Sequence, residues 1–176
     1  MNLAQKYCLT GAGVFFLIGL ITGIWKYYKI SKSEKAQATF YIDTAHRASL
    51  MYSFASILLF VLAQYSAFSE TVNAWSALSA LSFFAFAIST YILHGILEDT
   101  DNQFQKPYRL GKIPLPGFLI HGSMFFLILG ELGGSSFILV HLLVKDKGME
   151  DGVHRKSINV HKRRGNEQRD NENNLS

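Results

Sequence analysis

Four long stretches of this chain hold almost no charge. Lys6 and Lys26 enclose 19 uncharged residues, 48–69 supplies 22, 71–97 supplies 27, and 113–144 supplies 32 broken only by Glu131. The apolar residues in each stretch follow neither the period of two of a half-buried strand nor the single stripe of a surface helix. A helix that crosses the hydrocarbon of a bilayer needs roughly 20 such residues. With no water at that depth, each spanning segment must also satisfy its own backbone hydrogen bonds. The pattern therefore predicts four transmembrane helices, over about 7–26, 46–68, 72–97 and 116–144. The expected fold class is an all-α integral membrane protein, a four-transmembrane-helix bundle over 1–144. The polar, mixed-charge, Asn-rich residues 145–176 have no apolar face and are expected to be a disordered tail.

Composition sharpens this picture only when taken by segment. The whole chain of 176 residues is 49% hydrophobic and 17% charged, with a formal net charge of +4. The tail carries eight Lys/Arg against six Asp/Glu, and the remainder nine against seven, so each part is +2. That balance points to no acidic partner and no nucleic acid. Lys162-Arg163-Arg164 reads as a solvated or membrane-surface patch. Cys8 is the single cysteine, which excludes an internal disulfide and a CxxC redox motif. The first run ends in Trp25-Lys26-Tyr27-Tyr28, not in a small-residue cleavage site, so it is expected to be a retained helix with an interfacial aromatic belt. Four spans place nine Lys/Arg on one side of the membrane and eight on the other, which favours neither orientation.

Within the apolar runs, the exceptions carry the chemistry. Gly19-x-x-x-Gly23 and Gly130-x-x-x-Gly134 mark faces where helix backbones can approach closely. Ionisable residues inside spans are costly and are functional candidates by default. Here they are His94, His121, Glu131 and His141, with His46 at the entrance of the second helix. Up-and-down topology puts His46, His94 and His121 at one end of the bundle, Glu131 near mid-membrane and His141 toward the opposite surface. His46, Ser49, Ser53 and Ser56 form a polar stripe on the second helix, and Thr90, Tyr91 and His94 share a side of the third. Imidazoles converging from separate helices make a natural haem or metal pocket, with His46, His94, His121, Ser49 and Ser53 as its lining. The competing reading makes the histidines interfacial boundary residues, the serines helix-packing groups, and Glu131 a carboxyl bonded to a neighbouring polar atom.

The segment Asp43-Thr44-Ala45-His46-Arg47-Ala48-Ser49-Leu50-Met51-Tyr52 places Ala-His at the start of the second of four helices. It resembles the styrene oxide isomerase family, as do the short amino-terminal tail, a first loop of about twenty residues, the segment Thr90-Tyr91-Ile92-Leu93 and the loop sequence Asn102-Gln103-Phe104. The resemblance covers roughly residues 8–143. It implies a homo-trimer of four-helix subunits with haem b at the subunit contacts. It further implies His46 as the axial and metal ligand, and Tyr91 beside a small apolar substrate. In that family the iron acts as a Lewis acid that opens an epoxide to an aldehyde without net redox change. Two positions depart from the family. Tyr52 stands where the family has Asn, and Phe83 where it has Asp, both polar groups near the substrate. The resemblance thus implies a haem more directly than a reaction. Tyr52 and Tyr91 are the catalytic candidates.

Three functions follow as expectations for a multi-pass protein of an inner or plasma membrane. The first is a haem-b protein with His46 as ligand and isomerase-like chemistry. The second is an electron carrier with two axial histidines, His46 paired with His94 or His121. The third is a non-enzymatic assembly or accessory protein.

Overall fold

A computed structural model of the chain describes residues 1–66, 68–136 and 139. His141 and the tail expected over 145–176 lie outside the described residues. Four long helices dominate: α1 (Leu3–Lys32), α2 (Phe40–Tyr65), α3 (Glu70–Leu97) and α4, which is helical over Gly117–Ser136. All four are long and apolar enough to cross a membrane, so the chain is an all-α, multi-pass membrane bundle. A two-residue antiparallel ladder, β1 (Arg109–Leu110) with β2 (Ile113–Pro114), turns the chain between α3 and α4. Gly111, at φ +60, makes that turn in the left-handed region that glycine adopts without a Cβ clash.

The helices begin and end where local chemistry allows. Asn2 caps α1 in a reciprocal box, accepting from the Gln5 amide at 2.8 Å while its own amide donates to Gln5 Oε1 at 2.9 Å. Glu98 closes α3 in a left-handed cap, with its amide donating to the His94 carbonyl at 2.9 Å. The first two helices start before, and the first ends beyond, the uncharged runs. α1 continues to Lys32, and α2 begins at Phe40, not near residue 46. Helices run on into the headgroup layer because Lys and Arg can extend their charged heads to water from there. As a consequence His46 is inside α2, more than a turn past its first residue, and not at its entrance.

The core lies among α1, α2 and α3, and α2 packs most extensively on α1. Ala4, Cys8, Ala63, Ala77 and Ala80 let the backbones come close, while Phe15, Phe84 and Ile88 fill the centre. Large apolar side chains point outward instead, with Ile24 71% and Phe54 72% exposed. That inside-out distribution matches lipid as the surrounding solvent. α4 docks on α3 through Gly130 and Gly134. A Cβ on Gly130 would run into the Phe83 ring, and one on Gly134 would fall 3.0 Å from the Ser76 carbonyl oxygen.

Candidate functional site

The end of the bundle that carries His46, His94 and His121 gathers the last turns of α1 and α3, the first turns of α2 and α4, and the 98–116 connection. Ion pairs fasten its rim. Lys26 meets Asp43 at 2.6 Å, Arg47 meets the same carboxylate at 2.8 Å, and Lys29 pairs with Glu98. The three histidines share this end, as topology requires, but each has its own partner. Among the described residues no three His, Cys, Asp or Glu side chains come together.

His46 lies against the Gly19-x-x-x-Gly23 face of α1. Its Nδ1 is 2.8 Å from the Gly19 carbonyl oxygen. A carbonyl can only accept, so Nδ1 carries the proton, and Nε2 is the nitrogen left to bind a metal as a neutral imidazole. A Cβ on Gly23 would sit 2.9 Å from His46 Cε1, so the glycine makes the room in which the ring lies. The residue is partly exposed. A backbone carbonyl that fixes one ring nitrogen and orients the other is the usual support of a metal-ligating histidine. The donor chemistry of His46 therefore fits a haem iron.

The serine stripe continues the same α1–α2 seam. Ser53 donates to the Ala12 carbonyl at 2.9 Å, and Ser49 and Ser56 donate to carbonyls one turn back at 2.7 Å each. Ser49 and Ser56 are wholly buried. The stripe is thus a helix seam, and the hydroxyl protons of Ser49 and Ser53 are already committed within it.

His94 is held differently. Its Nδ1 lies 2.8 Å from Asp99 Oδ1, with both side chains about 95% buried. Asp99 Oδ2 accepts the Gly111 amide at 2.6 Å, and the Tyr41 ring lies against the imidazole at a centroid distance of 5.0 Å. Tyr41 also stacks on Tyr91, and its hydroxyl accepts the Gln103 amide at 2.6 Å. Burial alone would raise the Asp99 carboxyl, but the hydrogen bonds from His94 and Gly111 outweigh it and hold the group below its ordinary value. This cluster clasps the 98–111 segment to the ends of α2 and α3. His121 is exposed, and its Nε2 is 3.1 Å from the Tyr108 hydroxyl at the mouth of α4.

A second polar centre lies deeper. Tyr52, midway along α2, donates to Glu131 Oε1 on α4 at 3.0 Å and stacks on Phe84 of α3 at 4.4 Å. Tyr91 lies within electrostatic reach of both Tyr52 and Glu131. Its hydroxyl has no hydrogen-bond partner among the described residues. Tyr52 and the mid-membrane carboxyl are therefore brought together, while the Tyr91 ring stacks on Tyr41. Six residues separate His46 from Tyr52, which is about 120° around a helix. His46 accordingly faces α1, whereas Tyr52 faces α3 and α4.

Sequence reasoning gave no partner role to the Gly19 carbonyl, Tyr41, Asp99 or the Gln103 amide. Only Asp99 had a local signal, a carboxyl five residues beyond a histidine at a helix end. The others are contacts between segments remote in sequence. Comparison with family models, with curated proteins and with solved structures gives no match.

Proposed function

We propose that this multi-pass protein of an inner or plasma membrane binds haem b through His46 and uses it in isomerase-like chemistry. The observation that supports this most is the Nδ1 contact with the Gly19 carbonyl, which leaves Nε2 as the nitrogen available to an iron on a partly exposed ring. Haem held there would supply an iron acting as a Lewis acid on the oxygen of a small apolar substrate, with no net redox change. The chain's own contribution is positional. Gly23 leaves space for the ring, Gly19 fixes its tautomer, and the α1–α2 serine seam holds the two helices in register. Tyr91 and the Glu131-bound Tyr52 are the catalytic candidates, on the side of α2 that faces α3 and α4. By its resemblance the protein works as a homo-trimer.

His94 supports a second reading. Asp99 fixes its tautomer as Gly19 fixes that of His46, which is the preparation expected of a second axial ligand in an electron carrier. Absorption spectra of the full-length protein from haem-replete cells, oxidised and reduced, separate the readings. A high-spin spectrum that shifts with an added ligand supports the open catalytic site. A low-spin reduced α/β pair supports two histidines. A colourless protein overturns both and leaves the accessory role.

A further inference from the structure

The connection between α1 and α2 encloses an open cleft of about 810 Å³ that the haem reading does not use. It is lined by Lys26, Lys35, Thr39, Phe40, Asp43 and Asp101 among others. It lies just beyond Trp25, Tyr27 and Tyr28, the aromatic residues expected at the membrane interface. Two of its charges already neutralise each other, since Lys26 and Asp43 are 2.6 Å apart. The other two do not. Among the described residues neither Lys35 nor Asp101 has an ion-pair partner, and both are exposed. The cleft thus presents one free cation and one free carboxylate.

Further features line the same cleft. Thr39 is the N-cap of α2 but its side chain makes no capping bond. Its hydroxyl is the one buried side-chain polar atom without a partner among the described residues. An orphaned hydroxyl of this kind is costly, and a turn about χ1 brings it either to its own helix or to an acceptor in the cleft. The N-terminal end of α2 adds a partial positive charge beside it. Phe40, half exposed, gives the cleft an apolar wall.

We propose that this cleft binds the zwitterionic headgroup of a phosphoethanolamine lipid. The phosphate lies toward Lys35, Thr39 and the start of α2, and the ammonium toward Asp101. Charge complementarity selects this occupant. A purely anionic headgroup satisfies Lys35 but meets Asp101 as a like charge, whereas phosphoethanolamine satisfies both. The inference stands on the cleft alone and holds whether or not haem is bound.

Native mass spectrometry of the full-length protein in mild detergent, with added phosphatidylethanolamine or phosphatidylglycerol, tests it. One phosphatidylethanolamine per chain is expected, retained about fivefold better than phosphatidylglycerol, since one surface charge at a membrane is worth ~1 kcal/mol. Asp101→Asn should abolish that preference, and Lys35→Gln should weaken both lipids together. Equal retention by the wild type, or a preference unchanged in Asp101→Asn, overturns the proposal. Soluble glycerophosphoethanolamine forms the third arm. If it competes as well as the lipid does, the site serves a free metabolite and the lipid assignment fails.

Discussion

The orientation of His46 depends on an atom that is missing from its neighbour. Gly23 has no Cβ, and one placed there would lie 2.9 Å from the imidazole Cε1, closer than such atoms come without displacement. Gly23→Val should therefore push the ring off the Gly19 carbonyl without touching either polar atom. Loss of an outer partner of a metal-ligating histidine typically weakens metal affinity by about 10–100-fold. Haem retention through purification should fall accordingly in Gly23→Val, while the variant remains monodisperse and membrane-inserted. Unchanged haem content would show that the ring needs no such seat. At this scale the sequence was partly legible. His46 and Glu131 stood out because an ionisable residue in or beside an apolar run has a known cost, and Tyr52 and Tyr91 through the family resemblance. Their partners did not, because a backbone carbonyl 27 residues away leaves no mark in composition or spacing. For the same reason a shared pocket of three histidines was a natural expectation. Topology fixes only which end of the bundle a residue occupies, and the rotation of each helix decides what it faces.

Between elements, small residues decide how close two helices come. The motif Gly130-x-x-x-Gly134 was visible in the sequence, and its seat on Phe83, Ala80 and Ser76 of α3 was not. That seat bears on the two positions where the chain departs from the isomerase-like pattern. Phe83 lies under Gly130, one residue from Glu131, and Tyr52 is hydrogen-bonded to that same Glu131. Gly130→Ala should drive a methyl into the Phe83 ring and destabilise the bundle by ~1–3 kcal/mol. Phe83→Ala in the same chain should recover most of it. Thermal melts in one detergent would show the loss and the rescue, and a double variant no better than the single one would contradict the packing. The clasp of the 98–111 segment carries a pH dependence. The Asp99 carboxyl is held below its ordinary value, so its ionised form stabilises the clasp above the unfolded carboxylate range near pH 4. That contribution disappears as pH falls through the lowered folded value. His94 Nδ1 and the Gly111 amide both donate to this carboxylate, so the trend follows Asp99. Hydrogen exchange at the Gly111 amide, corrected for intrinsic rates, should lose protection on acidification below pH 4. In Asp99→Asn that protection should be weak already at neutral pH.

For the molecule as a whole, the four apolar runs, the class and the sharing of one end by three histidines were all readable from charge spacing. The exact helix ends were not, because amphipathic Lys, Arg and aromatic side chains let a helix continue through the interface. The structure adds a division of labour within the bundle. The α1–α2 seam holds His46, the α2–α3–α4 contact holds Tyr52, Tyr91 and Glu131, and the polar end carries the clasp and the headgroup cleft. These regions share α2, and the face of α2 toward α1 is the one on which the functional reading depends. The most direct test is the haem-to-protein ratio, from the Soret band and a pyridine haemochrome, of full-length wild type and His46→Ala purified side by side from haem-replete cells. Stoichiometric haem b in the wild type and its near-complete loss in a folded His46→Ala is the predicted result. A colourless wild type, or equal haem in both, would contradict the account.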